Sequence, residues 1–459
     1  MRSRLALAVV STAILLDALD LSITQVALPS IQGDLRLSPS ALQWVANAYV
    51  LTYGGFLLLG GRAADLLGRR RVFLAGLLTF GAMSLACGLA PSAAPLVVAR
   101  GLQGIGAALT VPAAVSIIAT SFAEGEERNR ALGVFAASAS AGFSVGLVLG
   151  GVLTDALSWR WIFLVKVPVV ALVALLALRA VAEGRAAASA RRSYDVAGAV
   201  MSVSGLLLLV FVITQLARRT VAPGALVTAG VLAIVLLVAF VVNERRASDP
   251  LLPLDLFRLR TLRAADLASL TVLAAPFGFA YVTTLYMQDV QGHSALATGL
   301  ALLPGAVLSA LVSRYAAPWL VERVGLRPTA TAGLTVVAVV FALLLRTDVS
   351  ATYEAVVLPA SIICLGLGMG VSYPVFTIGA VSGVSDRQQG IAAGVQSTAL
   401  QVGGGLGLAL VSAAVAGTLG ARPDPAAYVD ALHVGALVGA ALPVLGAAMA
   451  FVGLRAAAR

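Results

Sequence analysis

The chain has 459 residues, of which 60% are hydrophobic and only 11% charged, with a formal net charge of +10 and a mean hydropathy of +0.98. A soluble globular chain carries about 25% charge, so composition argues against a water-soluble enzyme. It also argues against a nucleic-acid-binding protein, because there is no soluble basic domain to carry the excess.

Apolar runs of roughly 20 residues recur from end to end, each able to cross a ~30 Å hydrocarbon core. Fourteen candidate spans fall near 5–28, 41–60, 72–90, 95–119, 131–153, 160–181, 196–217, 224–242, 266–288, 297–320, 328–346, 354–377, 391–417 and 432–454. The expected fold is an all-α polytopic membrane protein. It reads as a six-helix bundle (1–181), a linker with two extra spans (182–265) and a second six-helix bundle (266–459). Spans seven and eight are alternatively one hairpin that stops short of crossing. The first run follows MRSR and has the look of a signal peptide, but the rest of the chain is equally apolar, so a retained signal-anchor is the more economical reading.

The first span contains LLDALDLSITQVALP (15–29), with Asp17 and Asp20 inside it and no Lys or Arg beside them. A carboxylate at the centre of a membrane helix costs at least ~2.5–3.5 kcal/mol. Three residues apart, the two acids share a helix face. In a poorly solvated cavity they resist double ionisation and titrate as a unit. Such a site suits a proton carrier, neutral when facing one side and charged when facing the other. The bland alternative is that one acid caps or hydrogen-bonds a neighbouring helix, with Ser22 or Thr24 assisting.

Between spans two and three stands GGRAADLLGRRRVFLAG (60–76), where Gly61, Asp65, Gly68, Arg69 and Arg70 fit G-x-x-x-D-x-x-G-R-[RK]. The glycines permit a tight turn between helices, and the arginines face anionic lipid; a plain basic loop is the alternative. VERVGLRP (321–328) reads as a degenerate second copy. Span four carries ARGLQGIGAALTVPAA (99–114), with Arg100, Gln103, Gly104 and Gly106. A lone Arg in a span needs a partner or water, unless it snorkels to the interface. Span five carries GFSVGLVLGGVL (142–153), where Gly142, Gly146, Gly150 and Gly151 thin one face for a close neighbour.

Orientation follows from the basic residues. With the N-terminus inside, cytoplasmic segments hold 22 of the 31 Lys and Arg and outer segments six, while Arg100, Lys166 and Arg314 stay within spans. Both termini are therefore expected in the cytoplasm of a cell membrane, and the net charge follows from this rule and from contact with anionic lipid. Arg218 and Arg219 are the awkward pair, falling outside. Cys87 and Cys364 read as small buried residues, and Trp159, Trp161 and Trp319 as belt residues near span ends. His293 and His433 show no metal-ligand spacing and there is no P-loop, so no cofactor and no direct use of ATP are expected.

These stretches resemble the major facilitator superfamily. The 60–76 loop is similar to its cytoplasmic loop signature, with Leu66 where a basic residue is usual. Arg100, Gln103, Gly104 and Gly106 resemble its fourth-helix signature. The span-five glycines resemble its antiporter signature, with Leu147 in place of the Pro. LDLSITQVALPSI (19–31), LQWVANAYVLTYG (42–54), SWRWIFLVKVPV (158–169), TTLYMQDVQGHSALATGLALLPG (283–305) and LQVGGGLGLAL (400–410) look like the fourteen-span drug:proton antiporter branch. The resemblance implies two bundles rocking about a midplane site, and efflux of an amphipathic drug or antibiotic-like metabolite driven by inward proton flow. It places Asp20 at the family's first-helix acid, with Asp17 an extra; Gln25 and Lys166 stand where Asn is usual. Proton coupling is expected at Asp20, Asp17 and Arg100. Substrate contacts are expected among Gln25, Trp44, Asn47, Tyr49, Gln103, Lys166, Tyr281, Tyr286 and Gln396. A nutrient symporter or uniporter, or a non-transporting receptor or scaffold, are the rivals. The expected partners are a small-molecule substrate, protons and membrane lipid, with no nucleic acid and a monomeric chain. The preference for 30 Arg over one Lys hints at a GC-rich bacterial source.

Overall fold

The computed structural model describes residues 2–122, 126–181, 195–216, 221–247, 250, 257–349, 352–381, 386–419 and 425–454. Among them are fourteen long helices and no strand. In chain order they are α1 (Arg2–Leu35), α2 (Pro39–Leu67), α3 (Arg69–Gly88), α4 (Ala93–Ser121), α5 (Glu126–Ala156), α6 (Trp161–Ala180), α7 (Val196–Leu216), α8 (Pro223–Arg246), α9 (Arg260–Val290), α10 (Ala295–Val324), α11 (Leu326–Leu344), α12 (Ala355–Ala380), α13 (Asp386–Thr418) and α14 (Pro425–Gly453). Twelve are long and apolar enough to cross a membrane, and α5 and α7 hold shorter apolar stretches at Ala141–Ala156 and Ala197–Ile213. α7 has 21 residues and α8 has 24, about 31 and 36 Å at ~1.5 Å per residue.

Small residues set the helix contacts. α1 lies on α5 at Gly142, Gly146 and Gly150, and a methyl group added at Gly146 would stand 2.7 Å from the Leu19 carbonyl oxygen. The next glycine, Gly151, faces the other way onto α10, where an added methyl would meet the Ala295 carbonyl oxygen at 2.7 Å. The span-five glycines therefore serve two seams, one with α1 and one with α10. α2 and α13 meet where Gly54 abuts Gln401 and Gly405 abuts Leu51. Two polar contacts cross between the same groups of helices: Gln288 Nε2 donates to the Val26 carbonyl at 3.0 Å, and the Asp155 carboxylate accepts the Leu296 N–H at 3.0 Å.

Gly68 ends α2 and starts α3 with φ 97°, and Gly325 ends α10 and starts α11 with φ 94°. Both lie in a region that side chains rarely enter. The two copies of the loop pattern thus share a backbone device, although the second lacks most of the signature residues. The side chain of Asp65 lies outside the described residues.

One expectation needs correction. Trp159 is not a belt residue: it is buried and its indole donates to Asp34 at 2.9 Å, whereas Trp161 and Trp319 are exposed. α9 begins six residues before Asp266, which is 3% exposed.

Candidate functional site

Asp20, at the middle of α1, is completely buried. Helices α1, α4 and α6 supply its partners. Arg100 Nη1 and Lys166 Nζ both pair with its carboxylate, and Gln103 Nε2 donates to it at 3.1 Å. Arg100 is held further by α2, its Nε donating to the Val45 carbonyl at 2.8 Å, and Nη1 also reaches Gln103 Oε1 at 2.9 Å. The guanidinium stacks on the Tyr49 ring at 4.3 Å, and the Lys166 ammonium sits 4.8 Å from the Phe163 ring centre. Such cation–π contacts favour an arginine or lysine that has lost its water. Arg100 does not snorkel: it is 1% exposed.

The local sequence explains the geometry. Arg100 and Gln103 are three residues apart on α4 and share a face. Gly104 lets α4 press against the Tyr49 backbone, which brings Arg100 under Val45. Lys166 opens the second segment of α6 after a break at Val165. A charge cluster this deep is expensive to assemble; once assembled, removing one member strands the rest, a loss of about 3–5 kcal/mol.

Asp17, one turn earlier on α1, has a different environment. Its carboxylate accepts a hydrogen bond from the Tyr49 hydroxyl. Tyr53, one turn along the same face of α2, also lies against it and in turn against the Gln401 amide of α13. No ion pair to Asp17 occurs among the described residues. A cavity with room for about one water touches Asp17 between α1, α3 and α4, lined also by Leu77, Phe80 and Thr110. The two acids are thus partnered unequally: Asp20 by two cations, Asp17 by neutral hydroxyls.

Of the expected residues, Asp17, Asp20, Tyr49, Arg100, Gln103 and Lys166 come together. Asn47 and Gln25 are buried with polar atoms lacking hydrogen-bond partners. Trp44 packs with Leu207 and Leu406 against α7 and α13. Tyr286 donates to the Asp348 carbonyl at 2.7 Å, and Gln396 reaches the Thr377 hydroxyl at 3.4 Å, both away from the cluster. Tyr281 is buried in α9. Sequence reasoning missed Tyr53, whose spacing of four from Tyr49 was a usable signal. It also missed Cys87, whose thiol donates to Gln103 at 3.8 Å.

The sequence profile of the Major Facilitator Superfamily matches residues 10–408. The cephamycin export protein of Amycolatopsis lactamdurans is 40% identical over 94% of this chain and 89% of its own length. The puromycin resistance protein of Streptomyces alboniger is 39% identical over 95% of this chain and 88% of its own. Among solved structures, a bacterial homologue of the human lysosomal transporter Spinster, inward-facing and unoccupied, superposes with a TM-score of 0.69 at 17% identity, covering 98% of this chain and 97% of that one.

Proposed function

The chain belongs to the Major Facilitator Superfamily, and on that premise we propose that it exports an amphipathic, antibiotic-like organic compound in exchange for protons. Its similarity to a cephamycin exporter and a puromycin resistance protein supports the direction of transport and the substrate class. One structural observation carries the coupling: two carboxyl groups one turn apart, at mid-depth in α1, differ in how they are neutralised.

A proton arriving at this pair changes the balance of four buried groups, Asp17, Asp20, Arg100 and Lys166. With both acids ionised the group is neutral; with one proton bound it carries one positive charge. If the proton sits on Asp20, Arg100 and Lys166 lose their anion, and Asp17 or an acidic or polar group of the substrate becomes the alternative partner. Proton and substrate thereby favour different arrangements of the same helices, which is all that coupling requires. Inward proton movement supplies about 2.3 kcal/mol per 100 mV and about 1.4 kcal/mol per pH unit. Both termini lie in the cytoplasm on this reading, so the α5–α10 seam closes the outer end.

The test is proton flux in proteoliposomes on addition of candidate antibiotics, for the wild type, Asp20→Asn and Asp17→Asn. Substrate-dependent proton movement that either substitution uncouples is expected. Coupling preserved in both variants overturns the assignment of the proton site, and accumulation rather than exclusion of the compound by expressing cells overturns export.

A further inference from the structure

Asp266 stands apart from the cluster around Asp20, in the other set of six helices. It is 3% exposed, and neither of its carboxyl oxygens has a hydrogen-bond partner. Its direction follows from its neighbours on α9. Leu262, four residues before it, packs on Ala392 of α13. Leu270, four residues after it, lies against Gly403, where an added methyl would stand 2.5 Å from the Leu270 Cα. Residues four apart share a face, so Asp266 looks at α13 between Ala392 and Gly403. At that level Thr398 Oγ1 has no hydrogen-bond partner, and one turn along α9 neither does the fully buried Ser269 hydroxyl.

Among the described residues no cation pairs with the carboxyl. On α13 the only charged residues are Asp386 and Arg387, at its first turn, their side chains outside the described residues. α14 has none after His433, and Tyr373 is the only titratable residue of α12 beyond Gly370. On α9 itself, Arg263 is exposed and Arg260 donates to the Val452 carbonyl at 2.8 Å. An isolated buried carboxylate is so costly that such a group neutralises instead of remaining charged. The position is near one end of the molecule: Asp266 is six residues from the start of α9, about 9 Å along the axis at ~1.5 Å per residue. Asp17 and Asp20 lie far deeper.

We propose that Asp266 is a second proton-binding site, in the C-terminal set of helices and close to the cytoplasmic end. The inference rests on the proposed proton coupling. α13 links the two sites, because one of its faces covers Asp266 and Gln401 on the same helix reaches Tyr53, which lies against Asp17. In the proposed cycle α13 carries its Asp266 face with it as α2 and α13 part, so exchange of this proton belongs to the same transition that rearranges the deeper pair.

A hydrophobic carbodiimide reacts with protonated carboxyl groups in apolar surroundings, and the adduct can be placed by peptide mass spectrometry. In the purified wild-type protein at neutral pH, an adduct at Asp266 is expected, disappearing as the pH is raised. No transport is needed for this reading, so it stands or falls separately from the exchange mechanism. An unmodified Asp266 at every pH overturns the proposal. So does protection by sodium at constant pH, which would identify a metal cation as the occupant. In proteoliposomes, Asp266→Asn should transport substrate with about one proton fewer per turnover while Asp20→Asn loses coupling altogether. An unchanged proton-to-substrate ratio in Asp266→Asn overturns the second site and leaves the first intact.

Discussion

The four signature glycines of α5 make a sharp prediction because they face two different partners. Gly151 touches α10 in the other set of helices; Gly146 touches α1 in its own. In Gly151→Ala the new methyl meets the Ala295 carbonyl oxygen and the Leu296 nitrogen, both at 2.7 Å. These are backbone atoms and cannot rotate away. Relief requires α5 and α10 to separate, at a cost of about 1–3 kcal/mol for one forced methyl in a packed interface. Since the strain exists only while this end is closed, the closed population falls by about 5–150-fold. Gly146→Ala meets the Leu19 carbonyl oxygen at the same 2.7 Å, but α1 and α5 move together, so both states lose stability equally. Spin labels at Leu157 and Val349, exposed positions at this end, report the separation by double electron–electron resonance. A shift to longer distances is expected for Gly151→Ala and none for Gly146→Ala. Identical distributions in Gly151→Ala and the parent, or an equal shift in Gly146→Ala, would refute the reasoning.

Three further outcomes follow from the site and the turns. Asp20→Asn leaves Arg100 and Lys166 buried side by side without their anion, so the melting temperature in detergent should drop as expected for ~3–5 kcal/mol; combining it with Lys166→Met should recover part of that loss, and a double variant no better than the single one would contradict the charge balance. Lys166→Met alone keeps the Asp20–Arg100 pair and removes one positive charge, so a lipophilic cation such as tetraphenylphosphonium should bind more tightly by calorimetry, unchanged affinity being the contrary result. Gly68→Ala forces a side chain to φ 97° and should destabilise by about 1–2 kcal/mol, seen as faster thermal inactivation; a variant as stable as the parent would show that the loop relaxes.

Hydropathy made the helices legible because lipid allows few alternatives: a 20-residue apolar run with internally satisfied backbone has little choice but to be a helix. Asp17, Asp20, Arg100 and Lys166 were legible for a related reason, as each is too costly at membrane depth without a partner. Which of them pair was not legible, since pairing depends on Gly104 seating α4 against α2 and on the break at Val165. Asp266 escaped notice because hydropathy places the span start at that residue, while the helix starts a turn and a half earlier. Trp44 and Tyr286 were drawn in by residue type, but their faces turn toward other helices.

The inserted pair has a consequence for the surrounding bilayer. α7 packs on α2 and also on α13, so it straddles the line along which the two six-helix sets part, and α8 touches the rest of the protein through α7. Of α8, only Ala233 and Glu244 are buried; its valines and leucines face the acyl chains. On the proposed exchange cycle, rocking of the two sets drags a lipid-wetted outrigger through the membrane, and turnover becomes subject to acyl-chain length and lateral pressure as well as to ligand and proton.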